Sequence, residues 1–230
     1  MGFSSWFRDL GVPWKVSISV LGGVVVVSSA YGLYRCYVHQ KEQPQDKTSL
    51  RDETASEISE KKVLVLGIEG SGKSTFLAAL AQHDSPITSA EREGTTPTEG
   101  FHVVCVSTEG VSLNVWEIGG KFQSYWPNFV NDTSVIVYAI DSSDPALFDK
   151  SKHALLEILS DVKLKGVPLV LLICKQDLKE AKPVQEVVKF LGVETLSSDR
   201  QIGVAAFQIL ANGEVSGLQE AKHLILNFCK

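Results

Sequence analysis

The chain has 230 residues, 44% of them hydrophobic and 21% charged, with a formal net charge of −5. These values suit a single soluble core of about 170 residues plus an appendage, and the mild acidic balance excludes the electrostatic footprint of a nucleic-acid binder. Cys36, Cys105, Cys174 and Cys229 lie far apart, without metal-ligand spacing, and a reduced cytosolic compartment for the domain follows.

Residues 1–15 form a short leading segment. Met1-Gly2 invites myristoylation, but Trp6 stands where that pattern wants Ser or Thr. Val16 to Tyr34 is uncharged over nineteen residues, is bracketed by Lys15 and Arg35, and carries Trp6, Trp14, Tyr31, Tyr34 and Tyr37 toward its ends. As a helix rising 1.5 Å per residue it nearly matches the roughly 30 Å hydrocarbon core, and the aromatic residues suit the headgroup zones. We read it as a single-pass transmembrane anchor that leaves the downstream domain in the cytosol. A cleaved secretory signal, using Ser28-Ser29-Ala30, and an apolar hairpin packed on the domain are the competing readings. Cys36, just past the apolar run, is either a palmitoylation site or a plain interfacial thiol. Residues 35–60 are expected to form a flexible charged linker, because His39 to Glu60 is polar, contains Pro44 and lacks apolar periodicity.

The apolar run Val63-Leu64-Val65-Leu66 then empties into Gly67-Ile68-Glu69-Gly70-Ser71-Gly72-Lys73-Ser74, which reads G-x-x-x-x-G-K-S. A strand, such a loop and a helix (here Phe76-Leu77-Ala78-Ala79-Leu80) make the phosphate cradle of nucleoside-triphosphate-binding proteins. Glycines let successive backbone N–H groups point at phosphate oxygens, and the helix adds its positive end. Glu69, Gly70, Ser71, Gly72, Lys73, Ser74 and Thr75 are therefore the expected nucleotide-binding residues. Lys73 would reach the β- and γ-phosphates, and the Ser74 hydroxyl would take one position on Mg²⁺.

Apolar runs recur at Val103–Val106, Val135–Ile140 and Val167–Ile173, separated by helical stretches such as Ala146–Lys163 and Pro183–Leu191. His102–Ser107 and Val111–Trp116, joined by Thr108-Glu109-Gly110, predict one antiparallel hairpin, and Leu218–Phe228 a closing helix. The alternation argues for an α/β domain over residues 61–230 with a mainly parallel six-stranded sheet and helices on both faces.

Ligands in such sheets sit at the carboxyl ends of the strands, where further motifs stand: Thr96-Pro97-Thr98-Glu99-Gly100-Phe101, Trp116-Glu117-Ile118-Gly119-Gly120, Asp141-Ser142-Ser143-Asp144 and Cys174-Lys175-Gln176-Asp177. In this order, after the phosphate loop, they resemble the small GTPases and specifically the ADP-ribosylation-factor-like family, over about three-quarters of the chain. The apolar amino terminus, the Gly100-to-Cys105 stretch and the E-I-G-G form look closest to the divergent ADP-ribosylation-factor-like proteins nine and ten. The resemblance implies GTP or GDP with Mg²⁺ as ligands, and exchange and effector proteins as partners. Thr98 would join Ser74 on Mg²⁺, Gly120 would offer its N–H to the γ-phosphate, Lys175 would lie along the base, and Asp177 would accept from guanine. Phe101, Trp116 and Phe129 match the family's effector-reading apolar surface, with core burial as the competing reading.

Several positions depart from the family pattern. Lys121 stands where the family places the glutamine that orients water, and lysine has no acceptor with which to do so; Gln123 is a possible displaced substitute. The stretch from Gly120 to Trp126 is two residues shorter than the family form. Glu117 replaces an aspartate that holds Mg²⁺ through water, and Cys174 replaces an asparagine. Val204-Ala205-Ala206 and Ile209-Leu210-Ala211 both compete for the last guanine-contacting loop. The leading expectation is a membrane-anchored GTP/GDP switch with slow or absent hydrolysis, its catalytic glutamine position filled by Lys121. The alternative is a nucleotide-independent pseudo-GTPase acting as a membrane-bound scaffold. A P-loop ATPase or small-molecule kinase would want a lid with several arginines, and after Lys62 only Arg92 and Arg200 occur.

Overall fold

The strand β1 (Ser59–Leu66) runs through the middle of the sheet, and its sequence explains why. Val63 and Val65 face one side and Leu64 and Leu66 the other, all four fully buried, so an unbroken apolar run is needed where helices cover both faces. The computed structural model describes residues 59–82, 97–108, 110–121, 123–196 and 198–230. The expected anchor over 16–34, Gly2, Cys36 and nearly all of the expected linker lie outside the described residues. Strand β1 itself begins two positions inside the span read as linker. Among the described residues no helix is long and apolar enough to cross a membrane.

In chain order the elements after β1 are α1 (Lys73–Ala81), β2 (Phe101–Thr108), β3 (Val111–Ile118), a 3₁₀ segment (Gln123–Phe129), β4 (Thr133–Asp141), α2 (Phe148–Leu159), β5 (Leu169–Cys174), α3 (Val184–Leu191), α4 (Val193–Leu196), β6 (Ile202–Ile209), β7 (Val215–Ser216) and α5 (Leu218–Phe228). The sheet order is β2-β3-β1-β4-β5-β6-β7. Strands β3, β1, β4, β5 and β6 are mutually parallel, while β2 and β7 run antiparallel at the two edges. The sheet therefore has seven strands, not the expected six. The extra one is a two-residue strand paired to the end of β6 as Gln208↔Ser216 and Ile209↔Val215. Too short to carry an apolar period, it leaves no trace in the residue pattern.

Helices α1 and α5 pack on one face through Phe76, Leu80, Ala221 and Ile225. Helices α2 and α3 pack on the other through Leu155, Ile158, Val187 and Leu191. The single helix expected over Ala146–Lys163 is instead α2 with a short 3₁₀ turn on either side, Pro145–Leu147 and Val162–Leu164. Asp144 caps the first turn, which runs directly into α2, and Asp161, in an extended conformation, ends α2 and caps the second; each side chain accepts a backbone N–H two residues on. The five parallel strands bring the phosphate loop, Gly119-Gly120, Asp141 and Cys174–Asp177 to one edge of the sheet.

Candidate functional site

Gly72 precedes α1 in a left-handed conformation, φ +97°, and no side chain caps the helix. A glycine tolerates that geometry, and it leaves the leading N–H groups of α1 turned toward the loop. Lys73, 5% exposed, lies inside that loop and donates from Nζ to the Ile68 carbonyl at 2.9 Å and to Ser71 Oγ at 3.4 Å. Burial holds its pKa down to about 8, against the opposing pull of Glu117, Cys174 and Glu69. Ser71 is fully buried and Thr75 half-buried, whereas Glu69 and Gly70 are exposed at the rim.

Three oxygens from separate parts of the chain meet beside Lys73. Ser74 Oγ donates to Glu117 Oε1 at 2.5 Å, Thr98 Oγ1 donates to the same oxygen at 3.0 Å, and the two hydroxyls are 3.2 Å apart. Glu117 is 1% exposed, and its Oε2 is buried with no hydrogen-bond partner. Two hydroxyls and one carboxylate, whose second oxygen is buried without a partner, form an all-oxygen donor set that fits a hard dication such as Mg²⁺. No group of three or more His, Cys, Asp or Glu suited to a metal occurs among the described residues.

Gly119 and Gly120 are present for want of space. A Cβ on Gly120 would lie 2.4 Å from the Glu69 nitrogen, and one on Gly119 would lie 2.3 Å from the Thr98 carbonyl oxygen. The Gly119 N–H donates to the Gly100 carbonyl at 2.8 Å, so the segment bearing Thr98 is fastened to the end of β3. Trp126 is buried and donates from Nε1 to the Gly119 carbonyl at 3.1 Å, which ties the stretch after Gly120 to the same point. Lys121 is exposed. Gln123 lines a cleft of about 360 Å³ with Trp126, Glu157, Ile158 and Asp161.

At the other end of the loop, Cys174 is a buried thiol that packs against Gly72. Burial pushes that thiol up to about 12. Lys175 adopts φ +63° and pairs with Asp141, Nζ to Oδ2 at 2.6 Å. Asp141 Oδ1 also accepts from Ser143 N and Oγ, and Gln176 Nε2 donates to Ser142 Oγ and the Lys182 carbonyl. The ends of β4 and β5 are thus laced into one platform, with Asp177 exposed on it. Of the two stretches competing for the last loop, Val204-Ala205-Ala206 lies within β6 and Ile209-Leu210-Ala211 at its carboxyl end.

Phe101, Trp116 and Phe129 form one half-buried cluster, with ring centroids 5.4, 5.5 and 6.5 Å apart. Their inner side packs on the core shared with α2 and α3. A residue the motif reading missed supports them. Lys62 places its amine 5.1 Å from the Trp116 ring centroid and donates to the carbonyls of Phe129 and Asn131 at 2.7 and 2.9 Å. The only trace of this in the sequence is a cation at the mouth of a buried strand.

The family model for the ADP-ribosylation factor family matches residues 48–228. The chain belongs to the ADP-ribosylation factor family. It is therefore a small GTPase by descent and a GTP-binding protein by class. Among its relatives, ADP-ribosylation factor-like protein 3 of Chlamydomonas reinhardtii is 37% identical over 139 residues, covering 60% of this chain and 75% of that protein. ADP-ribosylation factor-like protein 9 of Homo sapiens is 31% identical, with coverages of 72% and 86%. ADP-ribosylation factor-like protein 10 of Mus musculus is 34% identical, with coverages of 79% and 72%. The structure of the Arl6 BBS3 small GTPase from Trypanosoma brucei, solved with the nucleotide analogue GppNp, superimposes with a TM-score of 0.63 at 23% identity, covering 74% of this chain and 98% of that one. That likeness is one of fold.

Proposed function

We propose that this family member is a membrane-anchored guanine-nucleotide switch whose intrinsic hydrolysis is slow. The observation that carries the nucleotide part is the meeting of Ser74, Thr98 and Glu117 oxygens beside the buried Lys73 amine. In this reading the backbone from Glu69 to Thr75 cradles the phosphates and Lys73 turns its amine from the Ile68 carbonyl to phosphate oxygens. Ser74 and Thr98 hold Mg²⁺, which when bound neutralises charge on the phosphates. Gly120 offers its N–H to the γ-phosphate, Asp177 receives guanine and Lys175 lies along the base. Phe101, Trp116 and Phe129 present the partner-reading surface.

Lys121 accounts for the slow hydrolysis, since an ammonium group donates only and cannot accept the hydrogen bond by which a glutamine orients the attacking water. Residues 16–34 supply the anchor, 1–15 and 35–60 its flanks, and 61–230 the nucleotide domain. A second reading, the nucleotide-independent scaffold, draws on Cys174, a buried thiol offering neither an amide donor nor an amide acceptor to the nucleotide. Titration with a fluorescent guanine nucleotide, with and without Mg²⁺ and beside an adenine control, decides between them. Tight Mg²⁺-dependent guanine binding supports the switch, and no binding supports the scaffold. A single-turnover assay then tests hydrolysis: Lys121→Gln should run at least tenfold faster than wild type, and equal rates would remove Lys121 as the cause.

A further inference from the structure

We infer that Glu117 is a direct ligand of the divalent cation that accompanies the nucleotide, in place of the water-bridged contact that an aspartate makes at this position; the inference rests on the nucleotide reading above. The separations among Ser74 Oγ, Thr98 Oγ1 and Glu117 Oε1 are 2.5, 3.0 and 3.2 Å. Neighbouring ligands of an octahedral ion with bonds of 2.0–2.1 Å lie about 2.9 Å apart. The three oxygens thus have the spacing of one octahedral face, and a carboxylate oxygen occupies one of its corners.

The backbone keeps it there. Glu117 sits near the end of β3 between two strands, opposite Val65 of β1 on one side and His102 of β2 on the other. It has no freedom to draw back. An aspartate on that backbone ends one methylene short, by about 1.5 Å, which leaves its carboxylate out of reach of the two hydroxyls and opens room for a water. The Oε2 atom, buried and without a partner, gives the same carboxylate unsatisfied acceptor capacity that a cation relieves.

The test uses the full-length protein loaded with GTPγS and Mn²⁺, with bound guanine measured in the same sample. Broadening of the Mn²⁺ resonance by ¹⁷O-enriched water counts the waters on the metal. Wild type should hold one water fewer than Glu117→Asp. Equal counts with nucleotide bound would overturn the inference and leave the guanine-nucleotide reading intact. A sample that takes up no guanine nucleotide would overturn both. Should Glu117→Asp fail to fold, wild-type protein carrying ¹³C-glutamate provides the second measurement. A strong Mn–¹³C coupling that persists in Glu69→Gln assigns the ligand to Glu117, and a coupling absent or lost in Glu69→Gln overturns the assignment.

Discussion

Cys174 and Cys105 make opposite uses of the same side chain. The Cys105 thiol is exposed on the edge strand and donates to Asn114 Oδ1 at 3.3 Å, while Cys174 is 1% exposed beneath the phosphate loop. Burial favours the neutral thiol and pushes Cys174 up to about 12 from 9.0. The sign follows. The folded state holds the proton that the unfolded state releases, so this contribution to stability is complete below pH 9 and is lost as pH rises from 9 toward 12. Wild type should therefore lose stability over that window more steeply than Cys174→Ala, as read by denaturant melts at several pH values. Parallel curves would refute it. A thiol reagent at neutral pH should label Cys105 at once and Cys174 only on unfolding. Gly120 gives a second prediction at this scale. A Cβ there meets the Glu69 nitrogen at 2.4 Å, against backbone that cannot yield cheaply. Gly120→Ala should push the end of β3 off the phosphate loop, lowering GTP affinity at least tenfold relative to GDP affinity. An unchanged GTP-to-GDP ratio would show that Gly120 does not serve the γ-phosphate.

At the scale of elements, the 3₁₀ segment Gln123–Phe129 depends on one side chain. Trp126 is the buried residue of this seven-residue element, and it is held by the indole N–H to Gly119 and an edge contact to Tyr138 at 6.3 Å. Trp126→Phe keeps an aromatic ring but leaves the Gly119 carbonyl without its donor, a loss of about 1–3 kcal/mol. Hydrogen exchange should show local opening of residues 123–129 while β1, β4 and β5 keep their protection. Uniform loss across the sheet would mean that the segment and the core unfold together. Elements of this kind are where reading from residues runs out. Strands β1, β4 and β5 were legible because burial on both faces demands unbroken apolar runs, and α5 because its period and bounds are clean. Strand β6 was not, since Gly203, Ala205, Ala206 and Gln208 interrupt any run and its burial alternates. The phosphate loop was legible because its work is done by backbone and by glycines in a fixed spacing. The contact of Glu117 with Ser74 and Thr98 joins residues 43 and 19 positions apart, and only the sheet's register sets it.

For the whole molecule, the question is whether nucleotide controls attachment or only partner choice. Contact density divides the chain between Ala55 and Ser56, and both core clusters lie between Val63 and Cys229. Every side chain of the candidate site, from Glu69 to Asp177, belongs to the second unit. A fragment of residues 56–230 has its own core on both faces of the sheet, so it should melt cooperatively and keep the guanine affinity of the full chain to within about threefold. If residues 16–34 span a bilayer, roughly twenty apolar residues hold the protein on lipid far more firmly than any ligand-driven movement of the domain could offset. The full chain should then sediment with liposomes equally in its GDP and GTP forms, and the fragment should stay in the supernatant in both. Nucleotide would still change the surface around Phe101, Trp116 and Phe129, because Thr98 and Phe101 share one short segment fastened to β3 through the Gly119 N–H. A full-length protein that sediments only when loaded with GTP would overturn the anchor and return attachment to the nucleotide.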